Sequence, residues 1–154
     1  MTATTEDLRN LLERELLLLE DAAQALRYSF EKCGRIGLKA IYAPEELESY
    51  ESLCSRFARL SDIVIQKLFR LLDVIALEEP GSVRDRINRA EKRGLVESGE
   101  TFVAIRMLRN DIAHEYLPEA IRDIFKKVME LTPPLLNSVE AIKCASGKTL
   151  NFKT

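Results

Sequence analysis

Apolar side chains recur every third or fourth position along almost the whole chain, and no stretch alternates apolar and polar residues for the length of a strand. The pattern predicts helices. The first runs from about Thr5 to Cys33, with Leu8, Leu12, Leu19, Leu26 and Phe30 on one stripe, Thr4 or Thr5 as cap, and Gly34 and Gly37 marking its end. The second starts at Pro44, a favoured first-turn residue, and carries Leu47, Leu53, Phe57, Leu60, Val64, Leu68 and Leu71 toward Ala76. At 1.5 Å per residue it would span roughly 50 Å. Pro80 and Gly81 close it. A third, short helix begins after Ser82 and ends near Arg93, and a fourth begins at Ser98 and ends near Leu117 and Pro118. The fifth begins at Pro118 and reaches about Leu131, where Thr132, Pro133 and Pro134 are expected to interrupt it before a last turn or two. The expectation is an all-α, up-down bundle of about five helices: two long antiparallel ones plus shorter ones. It forms one domain over residues 1–145, followed by a polar, fraying tail over 146–154.

Composition narrows the function. In 154 residues, 46% are hydrophobic and 31% charged, enough for one domain with a buried core. Cys33, Cys54 and Cys144 are odd in number and lack metal-ligand spacing, so they read as reduced thiols used for packing. No segment has the length of a membrane span, and the N-terminus lacks the basic start and apolar centre of a signal peptide; a cytoplasmic protein is expected. Net charge is −2 and pI about 5.6, so the overall field does not draw nucleic acid, and any RNA contact must be local. Leu16, Leu17, Leu18 and Leu19 put leucine on every side of the first helix. That surplus calls for a covering partner, by default a second copy in a homodimer.

The segment Arg109-Asn110-Asp111-Ile112-Ala113-His114-Glu115-Tyr116 holds the one histidine of the chain. Histidine exchanges protons near neutral pH, and arginine grips phosphate through paired hydrogen bonds from its planar fork. On a helical wheel with Arg109 at 0°, Asn110 falls near 100°, His114 near 140° and Tyr116 near −20°, with Ile105, Leu108 and Ile112 near 260–320°. The polar residues thus turn from the helix's own core stripe, while Phe102, Val103 and Met107 share their half, as at an interface or cleft. Arg109 and His114 are far apart around one helix, and a two-fold axis beside it would bring both copies of each into one groove. Such a groove suits RNA cleavage by attack of a 2′-hydroxyl on its own phosphate. His114 would serve as general acid or base, Arg109 would stabilise the phosphorane, and Asn110 would orient His114 or the phosphate. The chemistry needs no cofactor and no metal.

At these residues the chain resembles the HEPN superfamily, and within it the HepT-like toxins of HEPN–MNT toxin–antitoxin modules. That branch carries R-x-x-x-x-H-x-Y, usually with Asn after Arg, on a late helix of a small helical bundle, and Arg109, Asn110, His114 and Tyr116 match it. Residues 55–62 and 84–94 look like the second and third helices of such proteins, so the resemblance covers roughly residues 5 to 140. It implies a homodimeric, metal-independent endoribonuclease with Arg109 and His114 of both subunits lining a shared cleft. It also implies a cognate minimal nucleotidyltransferase as antitoxin, which transfers AMP to the motif tyrosine, Tyr116. Since Tyr116 lies within about 20° of Arg109 on the wheel, the added phosphate would occupy the arginine. The alternative is a non-catalytic, substrate-binding partner of a nucleotidyltransferase.

Two further groups stand beside the motif. Arg84, Arg86, Arg89, Lys92 and Arg93 form a local basic excess that suits RNA phosphates or an acidic antitoxin surface, against the plainer reading of a solvated helix face. Arg56 and Asp62 lie near the apolar stripe of the second helix; Asp62 is positioned either to orient Arg109 or His114 or to make an ordinary interhelical ion pair.

Overall fold

The computed structural model describes residues 4–151, and these form an all-α bundle. The helices are α1 (Thr5–Ile36), α2 (Pro44–Asp62), a π-helical stretch (Ile63–Leu68), α3 (Phe69–Ile75), α4 (Val83–Lys92), α5 (Gly99–His114) and α6 (Pro118–Asn151). Because α2, the π-helical stretch and α3 run on without a break, the described residues make five rods.

Local chemistry sets the starts. Thr4 Oγ1 accepts from the Asp7 N–H at 3.0 Å while Asp7 accepts from the Thr4 N–H at 3.1 Å, closing a capping box on α1. Ser82 and Asp85 repeat the box on α4, and Ser98 Oγ accepts from the Thr101 N–H to start α5. Gly37 ends α1, and its φ of 84° needs glycine's freedom. Gly34, read from the sequence as an end marker, instead lies inside α1.

Burial follows a 3.5-residue repeat. On α1 the buried Leu12, Glu15, Leu19, Ala22, Leu26, Ser29 and Cys33 recur at alternating steps of three and four, with Ala23 buried beside them, the seam of antiparallel helix packing. Tyr50 near the start of α2 donates to the Gly37 carbonyl near the end of α1, and Arg56 donates to Ala25 and Ser29. The two helices therefore run antiparallel. Lys143 of α6 reaches Glu20 of α1 at 2.7 Å, and α5 returns along α2 and α6. In this up-down-up-down arrangement α1 and α5 are diagonal. An aromatic cluster of Tyr42, Tyr50 and Phe125, with ring centroids 4.7–5.6 Å apart, locks the α1–α2 loop to the first turns of α6.

The expected break at Thr132, Pro133 and Pro134 does not occur. α6 continues through both prolines to Asn151, so the bundle has three long rods rather than two. The buried stripe Phe125, Val128, Thr132, Leu135, Val139, Ile142 and Ser146 keeps its three-four spacing across the prolines. Pro133 itself is exposed, and the carbonyls deprived of a donor, those of Met129 and Glu130, lie off that stripe, where water can reach them. Thr132 Oγ1 donates to the Val128 carbonyl at 2.6 Å in the core. Packing thus offsets a local cost of about 3 kcal/mol per interior proline. Residues 146–151, expected as frayed tail, belong to the same helix, with Ser146 buried; positions 152–154 lie outside the described residues.

A continuous α6 predicts the outcome of replacing both prolines. Pro133→Ala with Pro134→Ala should raise stability by about 2 kcal/mol in urea unfolding, since two helix breakers are relieved while the unfolded chain gains freedom. Helical circular dichroism should stay constant. Gained helicity with no gain in stability would mean that the prolines do break the helix.

Candidate functional site

α5 stands on the core through Phe102, Ile105 and Leu108, each nearly fully buried. Phe102 packs at 6.0 Å from Phe69, which corrects its assignment to the polar half of the helix: it borders Arg109 on the wheel but points inward. Val103, Met107, Asn110 and His114, spaced four, three and four apart, make a second stripe that faces outward, with Met107 63% exposed.

Arg109 sits at the edge between the two stripes. Its Nε donates to Asp62 Oδ1 at 2.9 Å and its Nη2 to Asp62 Oδ2 at 3.0 Å, a fork-to-fork pair across α5 and α2. The side chains are 33% and 41% exposed, so the pair is worth only about 1 kcal/mol or less. The three buried α5 side chains contribute about 2 kcal/mol each, so they hold the helix and the ion pair only aims the arginine. The hydrogen bonds it donates to Asp62 raise the Arg109 guanidinium above its ordinary value and keep it charged. A guanidinium has five N–H donors, and the fork uses two, leaving Nη1 for another anion.

Asp62 is the last residue of α2 before the π-helical stretch. One wider turn there changes the register of the rod, so the face carrying Asp62 meets α5 while Ile65, Leu68 and Phe69 stay in the core. Arg56, paired with Asp62 in the sequence reading, is not brought to the motif. It bonds to Ala25 and Ser29 and lies 5.9 Å over the Tyr28 ring, on the side facing α1.

His114 is the last residue of α5 and is exposed, and Asn110 is exposed one turn before it. Tyr116 is not on the helix. Glu115 is extended, with φ −92° and ψ 134°, so the wheel position of Tyr116 beside Arg109 does not hold. The cause is Pro118, which cannot donate to the His114 carbonyl and whose ring would strike it. Tyr116 stands on the connecting loop, 83% exposed. Glu115 Oε1 accepts from the backbone N–H groups of Tyr116 and Leu117 at 3.1 and 3.2 Å and stiffens that loop.

The basic run of α4 is largely consumed within the fold. Arg89 and Arg93 clamp Asp73 at 3.1 and 2.7 Å and reach Glu78, Arg84 pairs with Glu100, and Arg86 donates to the Ile65 carbonyl and Gln66. Burial, with Arg70 and Arg106 nearby, lowers the Arg86 guanidinium below its ordinary value. Among these five, Lys92 alone has no ion-pair or hydrogen-bond partner among the described residues. The run joins α4 to α3 and the π-helical stretch, while Arg84, Lys92 and Arg93 remain exposed to solvent.

The sequence reading missed an open cavity of about 400 Å³ beside Arg109, bounded by α2, α5 and the start of α6. Ile112, Ile124 and Phe125 supply apolar wall, and Arg109, Glu51 and Glu115 supply charge. Its signal was the small side chains of Ser55, Ala58 and Ala113 on facing helices, which leave the space unfilled. Burial pushes the Cys33 thiol up to about 11 and the Cys54 thiol up to about 12, so these two are packing groups at neutral pH. Among the described residues no three His, Cys, Asp or Glu side chains group as metal ligands, and no helix is long and apolar enough to cross a membrane.

No protein-family model matches the chain, and neither the curated proteins nor the solved structures yield a match.

The pair's orienting role predicts a split between stability and site geometry. Asp62→Asn should change urea stability by no more than about 1 kcal/mol, yet weaken the binding of a phosphate-bearing ligand at Arg109 several-fold. A loss above about 2 kcal/mol would show that the pair holds the bundle together.

Proposed function

We propose that the chain is a metal-independent endoribonuclease acting as the toxin of a pair with a minimal nucleotidyltransferase, in line with its resemblance to HepT-like proteins. The observation that carries the reading is Arg109: a guanidinium fixed by Asp62, with donors to spare, at the mouth of an open cavity on the helix that ends in His114. A second copy laid on the outward stripe of Val103, Met107, Asn110 and His114 would bury its exposed apolar area and bring two histidines into one groove.

In that groove the 2′-oxygen of the RNA attacks its adjacent phosphorus, and the bond from phosphorus to the 5′-oxygen breaks. One His114 imidazole accepts the 2′-hydroxyl proton and the other delivers a proton to the departing 5′-oxygen. Arg109 stabilises the extra negative charge on the phosphorane, and the product ends in a 2′,3′-cyclic phosphate. Asn110, one turn from His114, orients the imidazole or the phosphate. A protein of net charge −2 depends on such local contacts for RNA.

Purified dimer of the 17.5 kDa chain should cut RNA in excess EDTA. Arg109→Ala and His114→Ala should each lower the rate on the order of 10²-fold or more while helical content stays constant. Cutting at the wild-type rate by both variants would remove the motif from the chemistry, and no cutting by wild type would favour the role of non-catalytic partner.

Silencing is assigned to Tyr116, whose exposure suits an acceptor. Its phenolic oxygen attacks the α-phosphorus of ATP, pyrophosphate leaves, and the phenol loses its proton. Co-expression with the nucleotidyltransferase should add one or more AMP masses mapped to Tyr116, and Tyr116→Phe should escape modification and stay toxic. An unmodified Tyr116 in protein purified with the active partner would exclude this control.

A further inference from the structure

The cavity beside Arg109 lies on the side of α5 that faces α2 and α6, away from the outward stripe that holds His114, so it stays open in the dimer described above. Its lining offers an occupant three separate features. Arg109 keeps N–H donors after Asp62 is bound and offers them to an anion at the mouth. Ile112, Ile124 and Phe125 suit a flat or apolar body. Glu51, exposed at the rim, offers both carboxylate oxygens to hydrogen-bond donors, and Glu115 beside it is partly buried.

The two acids differ in freedom. Glu115 is fixed, because its Oε1 already accepts from two backbone N–H groups. Glu51 makes no ion pair or hydrogen bond among the described residues. It lies close enough to Cys54, another lining residue, to help raise that thiol, which places its charge at the cavity. An apolar peptide side chain would engage neither Glu51 nor Arg109, and a cationic ligand would meet Arg109. A nucleotide uses all three features: phosphate to Arg109, ring faces to the apolar wall, and edge donors to Glu51.

We propose that this cavity is a nucleobase subsite that selects guanine for the nucleotide on the 5′ side of the cut, with Glu51 as the residue that selects it. The assignment rests on the ribonuclease reading and names its substrate preference. The base edges decide the identity. Guanine presents two adjacent donors, N1–H and the N2 amino group, which match the two oxygens of one carboxylate. Adenine and cytosine set one donor beside an acceptor, and uracil sets one donor between two acceptors, so each of these turns a lone pair toward a carboxylate oxygen. A bidentate match of this kind discriminates by roughly 5- to 100-fold.

The test is calorimetric titration of the full chain with the 3′-monophosphates of guanosine, adenosine, cytidine and uridine, which reads the subsite without catalysis. Guanosine 3′-monophosphate should bind at least roughly 10-fold tighter than the others. Glu51→Gln, a surface change that keeps shape but replaces one acceptor with a donor, should erase that preference and leave adenosine 3′-monophosphate unaffected. Arg109→Ala should weaken all four, and Ala58→Phe, which fills the cavity, should do the same with helical circular dichroism intact. Equal affinities, a preference that survives Glu51→Gln, or no binding would overturn the subsite. So would loss of contact with the nucleotidyltransferase in Ala58→Phe while nucleotides still bind, which would assign the cavity to a protein. Mapping of cut sites separates the two claims: cutting without guanine on the 5′ side overturns the subsite alone, and absence of cutting overturns the ribonuclease reading while the titration still decides the subsite.

Discussion

One missing N–H organises the site. Pro118 cannot bond to the carbonyl of His114, so α5 must stop there, and the same proline is a favoured first residue for α6. The chain turns within 115–117, pinned by the Glu115 carboxylate, and α6 comes back antiparallel to α5. Three consequences follow from this reversal. His114 sits at the end of α5, exposed on its outward face. Tyr116 leaves the helix and projects into solvent. Ile121, Ile124 and Phe125 of α6 close the far wall of the cavity that Arg109 opens onto. A residue able to continue the helix at 118 would move all three.

Pro133 and Pro134 show the same chemistry with the opposite outcome, and the difference lies in what surrounds them. At Pro118 nothing on the α5 side rewards a straight continuation: Glu115, Tyr116 and Leu117 carry no buried stripe onward. At Pro133 and Pro134 the stripe from Phe125 to Ile142 passes beneath the prolines, and Thr132, Leu135 and Val139 are fully buried on it. Several buried side chains at about 2 kcal/mol each outweigh two interior prolines. Local punctuation was therefore readable at one site and misleading at the other. Length decides between them, because only a pattern followed for four turns past the prolines reveals the continuous seam.

The same division runs through the candidate site. Starts of helices were legible because caps are local: Thr4, Ser82 and Ser98 each satisfy an N–H three residues on. The motif on α5 was legible as a set of residue types, and its outward face at Asn110 and His114 came from the wheel. Partnerships across helices were not legible. Asp62 faces Arg109 and Arg56 faces α1 although they lie six positions apart on one rod, and the π-helical turn after Asp62 leaves no mark in the hydrophobic period. The α4 arginines looked like a surplus because Asp73, Glu78 and Glu100, which neutralise them, are remote in sequence or on another helix.

The bundle also separates two arguments for a dimer that the sequence had joined. The leucine surplus of α1 persists in the fold, with Leu17 71% exposed and Leu11 and Leu18 partly so. It lies on the helix diagonal to α5, with α2 and α6 between them. A single two-fold contact cannot cover both the α1 leucines and the outward stripe of α5. Only the α5 contact would place two copies of His114 beside each other, so the composite cleft requires that face. Covering α1 needs a different surface, and nothing in the motif's chemistry asks for it. Any assembly that buries both must therefore use two distinct interfaces, and breaking the one on α1 should leave the chemistry of the α5 groove in place.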